Sequence, residues 1–177
     1  MSERFEQLKE LILNSPTPYH FTAYARNLLT EKGFVEIKET KNCIEIPQKG
    51  FFIRDDRCLA CWNKKGIEQG ALICAHVDSP VLILKPCFET RNKIYCKCRV
   101  STYGGGTWTT WLGRGLRLCG KIFYSEKGIK KSILYDSKRA IGFIPFDQGN
   151  PLKPNYDKEE GFSALVSTGS KKSIKDV

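Results

Sequence analysis

The chain has 177 residues, 41% of them apolar, which suits one domain or one and part of a second and argues against disorder throughout. Its net charge of +10 comes from 29 basic and 19 acidic residues. Those charges are scattered in short groups such as Lys127, Lys130 and Lys131, with no stacking-aromatic motif, so they read as a solvated surface rather than a nucleic-acid interface.

Phe5, Leu8, Leu11 and Ile12 recur at helical spacing, and Asn14-Ser15-Pro16-Thr17-Pro18 stops that helix. A second helix is expected from Thr17 as N-cap and Pro18 at the first turn, with Phe21, Tyr24, Ala25 and Leu28 inward and Gly33 ending it. His20 falls in its first turn, where a structural role is expected. Strands are predicted at residues 34–37, 50–54, 58–62 and 71–75, forming one mixed sheet, with a turn at Asp55-Asp56 and a hairpin-like turn at Lys64-Lys65-Gly66.

From Val81 onward short β patterns dominate, at residues 81–84, 93–100, 116–124 and 131–135, and no long helix is expected after residue 33. The tail from Asn150 is lysine-rich and carries Pro151, Pro154, Gly161 and Gly169. It reads as weakly ordered apart from a short strand at residues 162–166. A sheet without covering helices has an open apolar face and unpaired edges, which favour association.

The run Gly70-Ala71-Leu72-Ile73-Cys74-Ala75-His76-Val77-Asp78 carries the most chemistry. It reads as a buried strand that presents an imidazole and a carboxylate at its carboxyl end. Neutral imidazole is the commonest metal ligand, and a neighbouring carboxylate fixes its tautomer. His-x-Asp alone is more often a hydrogen-bonded structural histidine than a metal ligand.

Four stretches resemble the aspartyl aminopeptidase family of dinuclear zinc exopeptidases. They are Ser15-Pro16-Thr17-Pro18-Tyr19-His20, Ala75 to Pro80, Tyr103-Gly104-Gly105-Gly106-Thr107-Trp108-Thr109-Thr110-Trp111, and Leu116-Arg117-Leu118-Cys119-Gly120. The resemblance implies a zinc-exopeptidase-like α/β fold: an incomplete mixed sheet with two amino-terminal helices, then part of an inserted β-rich oligomerisation domain. Residues 1–86 would belong to the peptidase domain, 87–168 to the inserted domain and 169–177 to a tail.

The resemblance also implies hydrolysis of an amino-terminal, usually acidic, residue from a peptide. His76 would be a zinc ligand, and Asp78, counted with the catalytic apparatus, would orient it. Two zinc ions would hold the substrate and activate a bridging water that a glutamate deprotonates.

The family draws its second histidine, its bridging carboxylates and its base from a long carboxyl-terminal half, whereas this sequence has only His20 and His76. Gly113 and Gly115 also stand where the family has aspartates around the arginine. The expectation is a truncated chain, inactive alone. It would be a fragment, an inactive relative or a subunit completed by another chain. The alternative is a non-catalytic interaction or oligomerisation protein of the same descent.

A homo-oligomer is expected, with a peptide as substrate once the site is completed. No run is long enough for a membrane span, and no signal peptide opens the sequence, so the expected setting is cytoplasmic. Eight cysteines, at positions 43, 58, 61, 74, 87, 96, 98 and 119, read as small buried thiols rather than disulfides. A zinc ribbon from Cys58, Cys61, Cys96 and Cys98 is disfavoured by its Cys-x-Cys half. Gly104-Gly105-Gly106 lacks the residues of a phosphate loop and is expected to allow close packing beneath aromatic rings.

Overall fold

A computed structural model describes residues 2–39, 46–64, 70–92, 94–146 and 162–168. The architecture is mixed α/β. Two helices, α1 (Glu3–Asn14) and α2 (Pro18–Glu31), precede ten strands. These are β1 (Val35–Glu36), β2 (Lys49–Arg54), β3 (Cys58–Asn63), β4 (Val81–Arg91), β5 (Tyr95–Tyr103), β6 (Gly115–Leu116), β7 (Cys119–Glu126), β8 (Ile129–Asp136), β9 (Gly142–Phe143) and β10 (Ser163–Thr168). After α2 the described residues contain only a short 3₁₀ turn, Trp108–Trp111.

The chain divides into two compact units, residues 1–78 with 119–135, and residues 79–118 with 136–177. In the first unit, α2 starts as its sequence dictates. Thr17 is extended and accepts the amide of His20, and Pro18 occupies the first turn. Its end is a Schellman arrangement: Gly33 sits at φ +78°, its amide donates to Thr30, and the amide of Phe34 donates to Leu29.

Thr22 and Ala25 are the buried residues of α2, while Leu28, expected inside, is 42% exposed. The helix is turned so that Thr22 faces in, because its hydroxyl donates to the carbonyl of Asp56, 2.7 Å away. The apolar stripe of α1 has no buried member, and Phe5, Leu8 and Ile12 are each at least half exposed.

The first sheet has the order β1-β2-β3, with β1 parallel to β2 and β2 antiparallel to β3 from Lys49↔Asn63 to Arg54↔Cys58. Phe51 is its fully buried anchor. Asp55 and Asp56 turn the chain between β2 and β3, both left-handed (φ +51° and +53°), a region that aspartate tolerates better than most residues. A separate hairpin, β7-β8, belongs to the same unit.

The predicted strand at residues 71–75 does not form: Gly70–Val77 lies outside every strand, and Leu72 and Ile73 are 90% and 91% exposed. A strand that is apolar on both faces needs neighbours on both edges and a layer above and below. The three-stranded sheet provides neither among the described residues. Only part of the predicted turn at Lys64-Lys65-Gly66, and of the tail beyond Asn150, lies within the described residues.

The second unit is a five-stranded sheet of order β4-β5-β10-β9-β6, with β5 antiparallel to both β4 and β10. Its core joins Cys98, Val100, Trp108, Leu112, Ile144, Phe162 and Ala164. The strand expected at residues 162–166 is therefore present as β10, with Phe162 buried just before it. The glycine loop packs as expected of small residues. A side chain at Gly104 (φ +89°) would touch Pro80, and one at Gly106 would crowd the Trp108 ring at 3.3 Å.

Candidate metal-ligand site

His76 and Asp78 stand at the end of the exposed apolar run. The imidazole Nδ1 lies 2.8 Å from Asp78 Oδ1, with the histidine side chain 90% exposed and the aspartate 29%. An ionised carboxylate can only accept, so Nδ1 is the donor in this pair, and in the neutral ring Nε2 keeps its lone pair. The pairing is local: the two residues are two apart in sequence with a bend at Val77 between them, so the side chains meet across a single intervening residue.

That geometry suits one ligand position for zinc, an imidazole whose second nitrogen is anchored by a carboxylate. It does not make a centre. Among the described residues no group of three His, Cys, Asp or Glu side chains is placed to hold a metal ion, whereas a catalytic zinc takes three protein ligands.

The other singled-out residues lie elsewhere. His20 is engaged in the cap of α2, with its Nδ1 2.7 Å from Thr17 Oγ1. Cys96 and Cys98 are buried in β5, as the small-thiol reading expects, but Cys58, Cys61, Cys74 and Cys87 are exposed. The β3 thiols are open because β3 is an edge strand of a sheet with little cover. Burial, with the neighbouring Cys96 and Glu89 adding to it, pushes the Cys98 thiol up to about 12. The Arg54 guanidinium holds the carboxyl of Glu39 below its ordinary range.

One arrangement escapes sequence reasoning. In the first unit a cleft of about 200 Å³ is lined by Tyr19, Arg26, Asp56, Lys121 and Ser132 among others. Lys121 Nζ is 2.5 Å from Asp56 Oδ2 and lies over the Tyr19 and Phe123 rings. Sixty-five positions separate the ion pair, so no local pattern announces it.

Residues 11–171 match the model of the aminopeptidase I zinc metalloproteases, M18. The chain is 32% identical to an aspartyl aminopeptidase of Dictyostelium discoideum over 154 residues, 82% of this chain and 32% of that protein. It is 36% identical to an aspartyl aminopeptidase of Aspergillus oryzae over 159 residues, covering 84% and 30% respectively. Its fold is similar to the crystal structure of prApe1, with a TM-score of 0.77, 25% identity, and coverage of 97% of this chain and 39% of that one. The chain thus spans about a third of the length of these curated relatives.

Proposed function

The chain belongs to the M18 family of zinc metallo-aminopeptidases, and on that basis we propose that residues 1–177 supply one imidazole ligand of an aminopeptidase centre and do not hydrolyse peptides alone. The observation that carries this reading is the His76–Asp78 pair, which leaves Nε2 facing outward. In a completed centre zinc would supply Lewis acidity and an activated water. The part of this chain is narrower: Asp78 fixes the Nδ1 proton, and His76 offers Nε2 in a set orientation.

The substrate proposed for the completed enzyme is a peptide with an acidic amino-terminal residue, in keeping with the aspartyl aminopeptidases among its relatives. The number of ions, two, belongs to the same proposal. So do a peptidase part at residues 1–86, an inserted oligomerisation part at 87–168 and a tail at 169–177. Free cysteines support a reducing, cytoplasmic setting. No described helix is long and apolar enough to cross a membrane.

A second reading, a non-catalytic oligomerisation protein, is supported by apolar surface left bare at Phe123 and Ile129, 70% and 63% exposed on the β7-β8 hairpin. A covalent chimera separates the two. Residues 1–177 are joined to the part of the Dictyostelium discoideum relative that the match leaves uncovered, and release of amino-terminal aspartate is assayed with zinc. The enzyme reading expects turnover by the chimera, none by residues 1–177 alone, and loss in His76→Ala. A silent, folded chimera favours the second reading.

A further inference from the structure

We infer that the cleft between α2 and the β7-β8 hairpin binds a phosphate group, free or as a monoester, through Arg26, Lys121, Tyr19 and Ser132. Such a site would stand whether or not residues 1–177 take part in peptide hydrolysis.

One wall of the cleft is a single stripe of α2. Tyr19, Thr22, Ala23 and Arg26 line it, at the i, i+3, i+4 and i+7 spacing of one helix face. Lys121 of β7 and Ser132 of β8 line it from the hairpin, and all six residues belong to the first unit.

This lining is rich in donors that the fold has not spent. Arg26 gives its Nε to both oxygens of Glu36, at 3.2 and 3.1 Å, while its Nη2 stands 4.0 Å from Asp56 Oδ1, too far for a hydrogen bond. Lys121 donates to Asp56 Oδ2 at 2.5 Å, which leaves its ammonium with further hydrogens to give. Among the described residues the Tyr19 and Ser132 hydroxyls have no hydrogen-bond partner, whereas that of Thr22 is committed to the Asp56 carbonyl.

Acceptors are scarce by comparison. Asp56 is the carboxylate that lines the cleft, and each of its oxygens already faces a cation. Arg57 lies over the Tyr19 ring, so Arg26, Arg57 and Lys121 stand against Glu36 and Asp56 and leave the surroundings positive. Unspent donors under a positive potential call for an anion. Lys121 is also held in place, 16% exposed and clamped by Asp56 and the rings of Tyr19 and Phe123, so little freedom is lost when a ligand arrives. A carboxylate offers its oxygens in one plane, whereas a tetrahedral phosphate reaches donors on the helix and the hairpin together. The cleft, about 200 Å³, has room for that group and a few waters.

The test follows the full chain by proton–nitrogen NMR as inorganic phosphate is added at constant ionic strength, with glycerol phosphate titrated in parallel as the esterified form. Saturable shifts confined to residues 19–26, 121 and 132 are expected, and the tighter ligand of the two names the form of phosphate. Arg26→Gln should weaken binding by about tenfold or more, as loss of a charge-assisted contact does. Tyr19→Phe and Ser132→Ala remove hydroxyls without described partners, so each should keep the unfolding midpoint and weaken binding about two- to tenfold. Lys97→Gln, on β5 outside the cleft, removes the same charge and should leave the affinity unchanged.

Shifts that rise without saturating for both phosphates, or that spread over the surface lysines, would overturn the proposal. So would an affinity that Tyr19→Phe and Ser132→Ala both leave intact, or a loss in Lys97→Gln as large as in Arg26→Gln, which would assign the effect to net charge. Acetate that saturates the same residues as tightly would overturn the choice of phosphate.

Discussion

Thr22 Oγ1 donates to the main-chain carbonyl of Asp56 across 2.7 Å, tying the buried side of α2 to the β2-β3 turn thirty-four positions away. Thr22 is 1% exposed, so water cannot replace it as the donor. Thr22→Val preserves shape but leaves the carbonyl unpaired, and should cost about 1–3 kcal/mol in urea unfolding. Thr22→Ser should recover much of this. A loss in Thr22→Val no larger than in Thr30→Val, on the exposed side of the same helix, would show that the tie contributes nothing.

How much of this arrangement a sequence reveals depends on how local its cause is. Thr17, Pro18 and Gly33 bound α2 as read, because caps are set by a residue's own backbone preferences and its nearest amides. The turn at Asp55-Asp56 and the pairing of His76 with Asp78 are local in the same sense. Ala71–Ala75 has the composition of a buried strand, but burial requires partners, and composition does not supply them. The Asp56–Lys121 pair and the placement of β7-β8 with the first unit depend on long-range contacts that leave no periodicity behind.

In the second unit Phe162 is 2% exposed, and its carbonyl accepts the amide of Val100 at 3.3 Å. The main-chain bond survives truncation of the side chain, so Phe162→Ala isolates the packing. It should cost about 3–5 kcal/mol, read as a lowered unfolding midpoint. An unchanged midpoint would place Phe162 outside the core.

Gly113 stands at φ +68°, and a Cβ there would run into the ring of Phe146. Gly113→Ala should destabilise by about 1–2 kcal/mol for the left-handed backbone alone, with the ring clash in addition. Gly113→Asp should act in the same direction. Phe146→Ala should relieve the clash but not the backbone cost, so a double-mutant cycle should show coupling between the two sites. Strict additivity would contradict the contact.

Alkylation at neutral pH should modify Cys58, Cys61, Cys74 and Cys87 in the folded chain and spare Cys96 and Cys98, which are 1% exposed. Because the folded Cys98 thiol titrates at about 12 against an ordinary 9.0, folding favours its protonated form. Its contribution is fully present below pH 9.0 and is lost as pH rises toward 12. Cys98→Ser should flatten that alkaline fall, although it also introduces a buried hydroxyl. A wild-type stability unchanged across this window would refute the assignment.

The most direct test of the account is the state of the His76 ring, observed by long-range proton–nitrogen NMR during a zinc titration. The account predicts an Nδ1-protonated imidazole whose Nε2 resonance moves as zinc is added, with both features weakened in Asp78→Asn. An Nε2-protonated ring, or an Nε2 resonance that zinc leaves in place, would contradict it.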